Sequence, residues 1–513
     1  MSDWLRRHAP LAYACFAMLA LYTPWINRGF INLEWGVALA ARGLHTSDDF
    51  RFLQAYFDSG NANPLGYPFL LAIIYRLGLP VDAFWTTRIP SIVGTLLILI
   101  WGYKYSKITD KDETKIFYLW ATTLVLHPMI FSFSTSTTSD ITGPAFFLIS
   151  ISLLSSYFLS QRSKFALSSG IALGFSTCIK YLTPFFGMSF AYIFFALKSN
   201  REFKKSKLLR DFGVFVVAAG LVLLFEIAWK WSNTGIFLTI GNDQVKPNFL
   251  DVVSWLKTLG KYLSFLGLFC GFLPIVYIKS VKERLGSPLI RSAFIAAVLS
   301  LGWFFSRPLS EGELDFGGGF PLGEQAARVI QTYGFLNAVI LVFVLVKSWQ
   351  ANRDLDRAYI FGLIPFLVLI SAARPTQRYL MYAIPIVLML LIKEMNSISI
   401  RLRWLVLALN LFGFSLISLF GMSYLTSQGN ASEEMAVWVE DNNLISQTSA
   451  GAISPHAGQH FWGVEKTELR YEIIAVAPSA ESGVKERVLH REPMKVLGRV
   501  TRVYLLREIP LAP

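Results

Sequence analysis

About thirteen apolar runs, divided by short charged segments, fill the first 425 of 513 residues and constrain this chain more than any other feature. They fall near Leu11–Ile26, Ile89–Tyr103, Ile116–Phe131, Ile141–Leu159, Phe165–Ile179, Thr183–Leu197 and Phe212–Trp229. The series continues with Tyr262–Ile278, Leu289–Phe305, Ile330–Val346, Tyr359–Ala373, Tyr379–Ile392 and Trp404–Leu425. Composition agrees: 54% of residues are hydrophobic and 16% charged, against about a quarter charged in soluble proteins. Such a chain cannot coat the surface of the three or four soluble domains that its length would otherwise suggest. A soluble enzyme, a disordered scaffold and a fibrous protein are excluded. The expected fold is an all-α polytopic membrane protein of about thirteen transmembrane helices, spanning residues 1–425, with a small C-terminal α/β domain over 426–513.

Basic residues set the orientation. Of the net charge of +13, the tail after Leu425 contributes −2 and the helical part +15. With the N-terminus in the cytoplasm, 24 basic residues in seven short segments all fall on the inner side, from Arg6 and Arg7 to Arg401 and Arg403. The tail then lies outside. Arg6 and Arg7 before an apolar run also suit a signal peptide, but no small-residue cleavage site follows and Trp25 stands where cleavage would fall. Cys15, Cys178 and Cys270 lie far apart within apolar runs and define neither a disulfide framework nor a zinc site.

The outer loops are unequal. The first, residues 27–88, contains Pro64–Leu77, which is apolar but too short to span and is expected to lie as an interfacial helix on the membrane. Long outer loops are also expected at Lys230–Lys257 and Ser306–Arg328. Within the tail, SEEMAVWVEDNN reads as a short helix, and LRYEIIAV and RVTRVYLLREI alternate like strands.

Chemistry-bearing residues concentrate on the outer side. Glu34, Asp48, Asp49 and Asp58 lie in the first loop, where a carboxylate can act as general base or metal ligand at the membrane surface. Asp140 closes FSFSTSTTSD and suits both a helix cap and a functional acid. Lys180 stands at the outer end of a span, where a cation marks a site or reaches to the headgroups. Arg374 and Arg378, with Tyr379 beside them, oppose the positive-inside rule and form a receptor suited to phosphate or pyrophosphate. His456 and His460 are four apart, but Pro455 and Gly458 argue against a helix aligning them on a metal. No Walker loop, Rossmann fingerprint, HExxH or GxSxG stands in a credible context.

The order NLEWGVALAARGL, NPLGYPFLLAIIYRLG, TRIPSIVGTLLIL, HPMIFSFSTSTTSD, GIALGFSTCIKYLTP and RPTQRYLMYAIPIVLML resembles the GT-C class of polytopic glycosyltransferases. The similarity is greatest to the branch holding protein O-mannosyltransferases and the aminoarabinose transferase of lipid A. It runs over about the first 400 residues, and implies inverting transfer of a sugar from a polyprenyl-phosphate donor to an envelope lipid, glycan or protein on the outer leaflet. The family's first-loop Asp-Glu pair reads Leu33-Glu34 here, which leaves the catalytic carboxylate between Glu34 and Asp48/Asp49. By resemblance Asp140 matches a second outer-loop acid, and Lys180 and Arg378 match cations near the donor phosphate. Some members use a divalent metal, and no ligand set in this sequence decides the point. No nucleic-acid partner is expected. The rival expectations are an envelope polysaccharide polymerase or ligase, a transporter or flippase of lipid-linked sugars, and an inactive binder. A transporter would be expected to show paired halves and charges within its spans.

Overall fold

The computed structural model describes residues 3–31, 34–46, 64–81, 83–109, 113–200, 204–235, 251–306, 324–351, 353–372, 376–395 and 398–509, except 462, 463, 466, 468 and 485. Asp48, Asp49, Asp58 and Arg374 lie outside the described residues. Among those described, five helices are long and apolar enough to cross a membrane: Phe84–Ile108, Ser139–Ser160, Lys205–Asn233, Arg328–Gln350 and Ile400–Asp441. A sixth span arises if Thr114–Leu126 and Pro128–Ser134, bent by 66°, are taken together. Several other apolar runs are broken. Pro184 and Pro274 lie at the starts of 3-10 turns at Thr183–Phe186 and Leu273–Tyr277, because proline donates no hydrogen bond and cannot continue a preceding helix. The chain is a multi-pass membrane protein with one large apolar core and a small C-terminal sheet.

Among the described residues, ionic clusters sit at both ends of the bundle. The helix Phe84–Thr109 carries Arg88 near one end and Tyr105 seventeen residues further along, a rise of about 25 Å. At the Tyr105 end, the ammonium of Lys393 lies 3.0 Å from both carboxylate oxygens of Asp356. The Tyr105 hydroxyl also donates to Asp356, and Arg353 bridges Asp356 at 2.8 Å to Glu394 at 2.6 Å. That network ties three helices at the end the sequence assigns to the cytoplasm. Between the clusters the packing is apolar and aromatic, as at Phe147, Phe186, Phe366 and Tyr382.

The last helix, Ile400–Asp441, runs without a break through Leu425 and Thr426 and delivers its final turns to a four-stranded sheet. Its strands are β1 (Thr448–Ser449), β2 (Tyr471–Val476), β3 (Val488–Val496) and β4 (Arg499–Glu508), in the order β1-β2-β4-β3. Leu497 and Gly498, both at positive φ, close the β3–β4 hairpin. Met435 and Val439 of the helix pack with Ile473, Met494 and Leu506 of the sheet. His460 pins this unit: its ring nitrogens lie 2.9 Å from Glu433 and 2.8 Å from Glu440. Both nitrogens face carboxylates, so both must donate, which requires the imidazolium. Burial opposes that charge, and the two carboxylates outweigh it, so the His460 pKa is raised.

A raised histidine pKa stabilises fully below its unfolded value, and the contribution disappears as pH rises through the folded value. Glu492 behaves differently. Burial and a hydrogen bond with Glu434 push its carboxyl to about 7, so its contribution is lost between its unfolded pKa and pH 7. Thermal unfolding measured from pH 7 upward is therefore expected to show a stability loss in the wild type that His460→Gln lacks. Equal pH slopes in the two proteins would contradict the imidazolium clamp.

Candidate active site

The site begins with a proline. Pro128 stops the helix Glu113–Leu126 and forces His127 into an extended conformation, so the chain turns and starts the short helix Pro128–Ser134 in a new direction. This aims the following serines and threonines at the start of Phe84–Thr109, where Thr87, Ser91 and Thr95 are spaced four apart on one face. Thr87 pairs with the Thr137 hydroxyl at 2.6 Å, Ser91 donates to the Ser136 carbonyl at 2.7 Å, and Thr95 meets the Ser134 hydroxyl at 2.5 Å. Hydroxyl pairs of this kind hold helices together where apolar surroundings give no hydrophobic preference. The helix Ser139–Ser160 then starts behind Thr138, whose hydroxyl accepts from the Asp140 amide.

Glu34 opens the helix Glu34–Thr46 and is buried. Five donors reach its carboxylate. Oε1 receives the Thr137 amide at 2.9 Å and Arg28 Nη2 at 3.3 Å; Oε2 receives Arg28 Nη1 at 3.2 Å, Arg88 Nη2 at 3.1 Å and the Ile31 amide at 3.1 Å. Burial works against its ionisation, and the guanidiniums of Arg28 and Arg88 overcome this and hold its pKa below the usual carboxylate value. Arg28 also binds the Thr135 carbonyl and the Ser136 hydroxyl, while Arg88 binds the carbonyls of Ile26, Arg28 and Gly29. The last helix joins the same point. Asn430 accepts from the Gly29 amide at 3.0 Å, and a Cβ on Gly429 would lie 2.6 Å from the Gly29 carbonyl oxygen. Glu34 thus has the surroundings of a structural carboxylate.

Asp140 is three residues beyond Thr137 and has a different environment. Its carboxylate forms an ion pair with Lys180, accepts from Thr138 at 2.5 Å and faces Arg378 Nη1 at 3.9 Å. Lys180 caps the helix Ser163–Ile179, and its ammonium lies 5.3 Å from the centre of the Tyr379 ring. Arg378 and Tyr379 come from the 3-10 turn Gln377–Tyr382. Three separate elements therefore place two cations and one carboxylate together. Asp140 is 2% exposed and the Arg378 side chain 37% exposed, so the arginine forms the open edge. The net charge is positive, and both cations can donate hydrogen bonds to an anion.

The structure brings together Asp140, Lys180, Arg378 and Tyr379 of the expected site residues, and sets Glu34 against the Thr137 amide of the same Thr135–Asp140 segment. Sequence reasoning missed Arg28 and Arg88. The rule that marked Arg374 and Arg378, cations on the outer side against the charge bias, marks these two equally. It also missed Glu226 and Lys230, a buried pair one turn apart near the end of Lys205–Thr234. Among the described residues no group of three or more His, Cys, Asp or Glu side chains is arranged to hold a metal ion.

Residues 62–229 match the family described as dolichyl-phosphate-mannose-protein mannosyltransferase, a stretch that includes Asp140 and Lys180. The chain resembles the GT-C class of polytopic glycosyltransferases. No curated protein sequence matches it. Among solved structures it is similar to ArnT from Cupriavidus metallidurans bound to undecaprenyl phosphate, with 12% identity over 97% of each chain and a TM-score of 0.47. It is also similar to the Archaeoglobus fulgidus oligosaccharyltransferase tethered to an acceptor peptide, with 12% identity, covering 86% of this chain and 58% of the other, at a TM-score of 0.46. AglB from Archaeoglobus fulgidus, in complex with an inhibitory peptide and a dolichol-phosphate, is 13% identical, with 91% and 61% covered and a TM-score of 0.40.

Glu34→Gln leaves Arg28 and Arg88 buried without their counter-charge, which costs about 3–5 kcal/mol when one partner of a buried pair is removed. Thermal unfolding in detergent is expected to fall accordingly. In the wild type the depressed pKa of Glu34 contributes stability above its unfolded value, and acid removes that contribution as pH falls through the folded value. An unchanged melting temperature for Glu34→Gln would contradict the structural role.

Proposed function

We propose that the chain is a membrane glycosyltransferase that takes a sugar from a polyprenyl-phosphate donor and passes it, with inversion, to a cell-envelope acceptor at the outer face. The observation that carries this is the Asp140–Lys180–Arg378 cluster at one end of a membrane-spanning bundle, two members of which lie in the segment matching the mannosyltransferase family. A polyprenyl-phosphate sugar keeps its lipid in the bilayer and its anomeric carbon at the interface, so its receptor belongs at a span end. In the transfer an acceptor oxygen or nitrogen bonds to the anomeric carbon as the bond from that carbon to the phosphate oxygen breaks. Lys180 and Arg378 bind the departing phosphate and stabilise its growing charge, with Arg374 completing the pair predicted from the sequence. Asp140 fixes the lysine's direction, and Tyr379 supports it from its ring face. With Glu34 committed to five donors, Asp48 and Asp49 of the same outer loop are assigned the acceptor proton.

The test is release of polyprenyl phosphate by purified protein in liposomes, supplied with a panel of polyprenyl-phosphate sugars and an envelope-lipid extract. Lys180→Ala, and Asp48→Asn combined with Asp49→Asn, are each expected to lower release by about a hundredfold or more. Release unaffected by Lys180→Ala would sink the phosphate assignment. No release from any donor by folded wild type would favour a flippase or a binder over a transferase.

A further inference from the structure

Another buried ionic cluster stands behind Lys180. Glu226 and Lys230 lie one turn apart on Lys205–Thr234, with their charged groups 3.9 Å apart. Only 17% of this helix's apolar window is buried, yet both charged side chains near its end are hidden from solvent. Burying such a pair is costly, and a helix facing mostly outward gains nothing from it unless the pair holds something in place. What it holds is specific. Glu226 Oε1 accepts the Leu65 amide at 3.2 Å, at the start of the helix Gly66–Arg76. Its other oxygen accepts the Tyr181 hydroxyl at 3.4 Å, and that hydroxyl accepts from Lys230 at 3.1 Å. The phenol therefore bridges the cation and the anion.

Tyr181 directly follows Lys180. Lys180 is extended, with φ −157° and ψ 122°, and successive side chains along extended backbone point to opposite sides. The lysine accordingly reaches Asp140 while the tyrosine reaches Glu226. The same junction is tight on its other face, since a Cβ on Gly66 would lie 2.6 Å from the Cys178 carbonyl oxygen. Holding the tyrosine fixes the peptide that aims the lysine.

We infer that Glu226 is a positioning residue for the donor-phosphate cation: through Tyr181, and with Lys230, it fixes the direction in which Lys180 is presented. This rests on the assignment of Lys180 to the donor phosphate. The test is binding of polyprenyl phosphate to the purified full-length protein, titrated at a temperature where each variant is folded. Lys180→Ala serves as the reference for loss of the phosphate ligand. Tyr181→Phe and Glu226→Gln are expected to bind about tenfold more weakly than wild type, and Glu226→Asp to recover part of the loss. The double variant Glu226→Gln/Lys230→Gln removes the stranded cation and so separates stability from positioning; it is expected to regain thermal stability but not affinity. Wild-type affinity in Glu226→Gln, or full recovery of affinity in the double variant, overturns the positioning role. If wild type and Lys180→Ala bind alike, it is instead the phosphate assignment that fails.

Discussion

One carboxylate buried between two guanidiniums organises the end of the bundle opposite the Asp356–Lys393 pair. Glu34 cannot remain buried without Arg28 and Arg88, and neither guanidinium can remain buried without the carbonyls and carboxylate it binds. Satisfying all three draws in the end of the first span, the start of Phe84–Thr109, the Thr135–Asp140 segment and, through Gly29 and Asn430, the last helix. Asp140 is positioned as a consequence, because the amide of Thr137 is fixed and the helix behind Thr138 must start there. The geometry around Asp140 is thus built outward from a buried carboxylate that five donors saturate.

The remaining charges obey the same economy. A bilayer core gives no water to an ion, so carboxylates and cations gather at the two bundle ends and pair there. At the end that carries Tyr105, the Asp356–Lys393–Arg353–Glu394 network reaches the surface through Arg353 and through Lys347, which lies 3.2 Å from Glu394. At the opposite end the Asp140 cluster also has an arginine edge, the Arg378 side chain being 37% exposed.

The membrane class was legible in the sequence because each apolar run is a local feature, whereas the meeting of Asp140, Lys180 and Arg378 depends on three elements remote along the chain. The surroundings of Glu34 were not, since Arg88 and Thr137 are remote from it along the chain and neither looks unusual beside its own neighbours. The helix Ile400–Asp441 continues through the polar stretch Thr-Ser-Gln-Gly-Asn after Leu425. Those residues are contacts: Ser427 donates to the Lys495 carbonyl, Gly429 and Asn430 meet Gly29, and Gln428 is buried. Strand β3 escaped notice because Pro493 and a run of charges spoil its alternation, which an edge strand tolerates. The spacing of His460 from His456 says nothing of its partners, which are carboxylates on a helix twenty residues and more away.

A lipid-linked donor bound as proposed places its phosphate at the Asp140–Lys180–Arg378 cluster. The most direct measurement is a cryo-EM structure of the protein in lipid nanodiscs with polyprenyl phosphate bound. The account predicts the phosphate within hydrogen-bonding reach of both Lys180 and Arg378, with its chain running into the bilayer. A phosphate bound elsewhere, with Lys180 still paired only to Asp140, would contradict it.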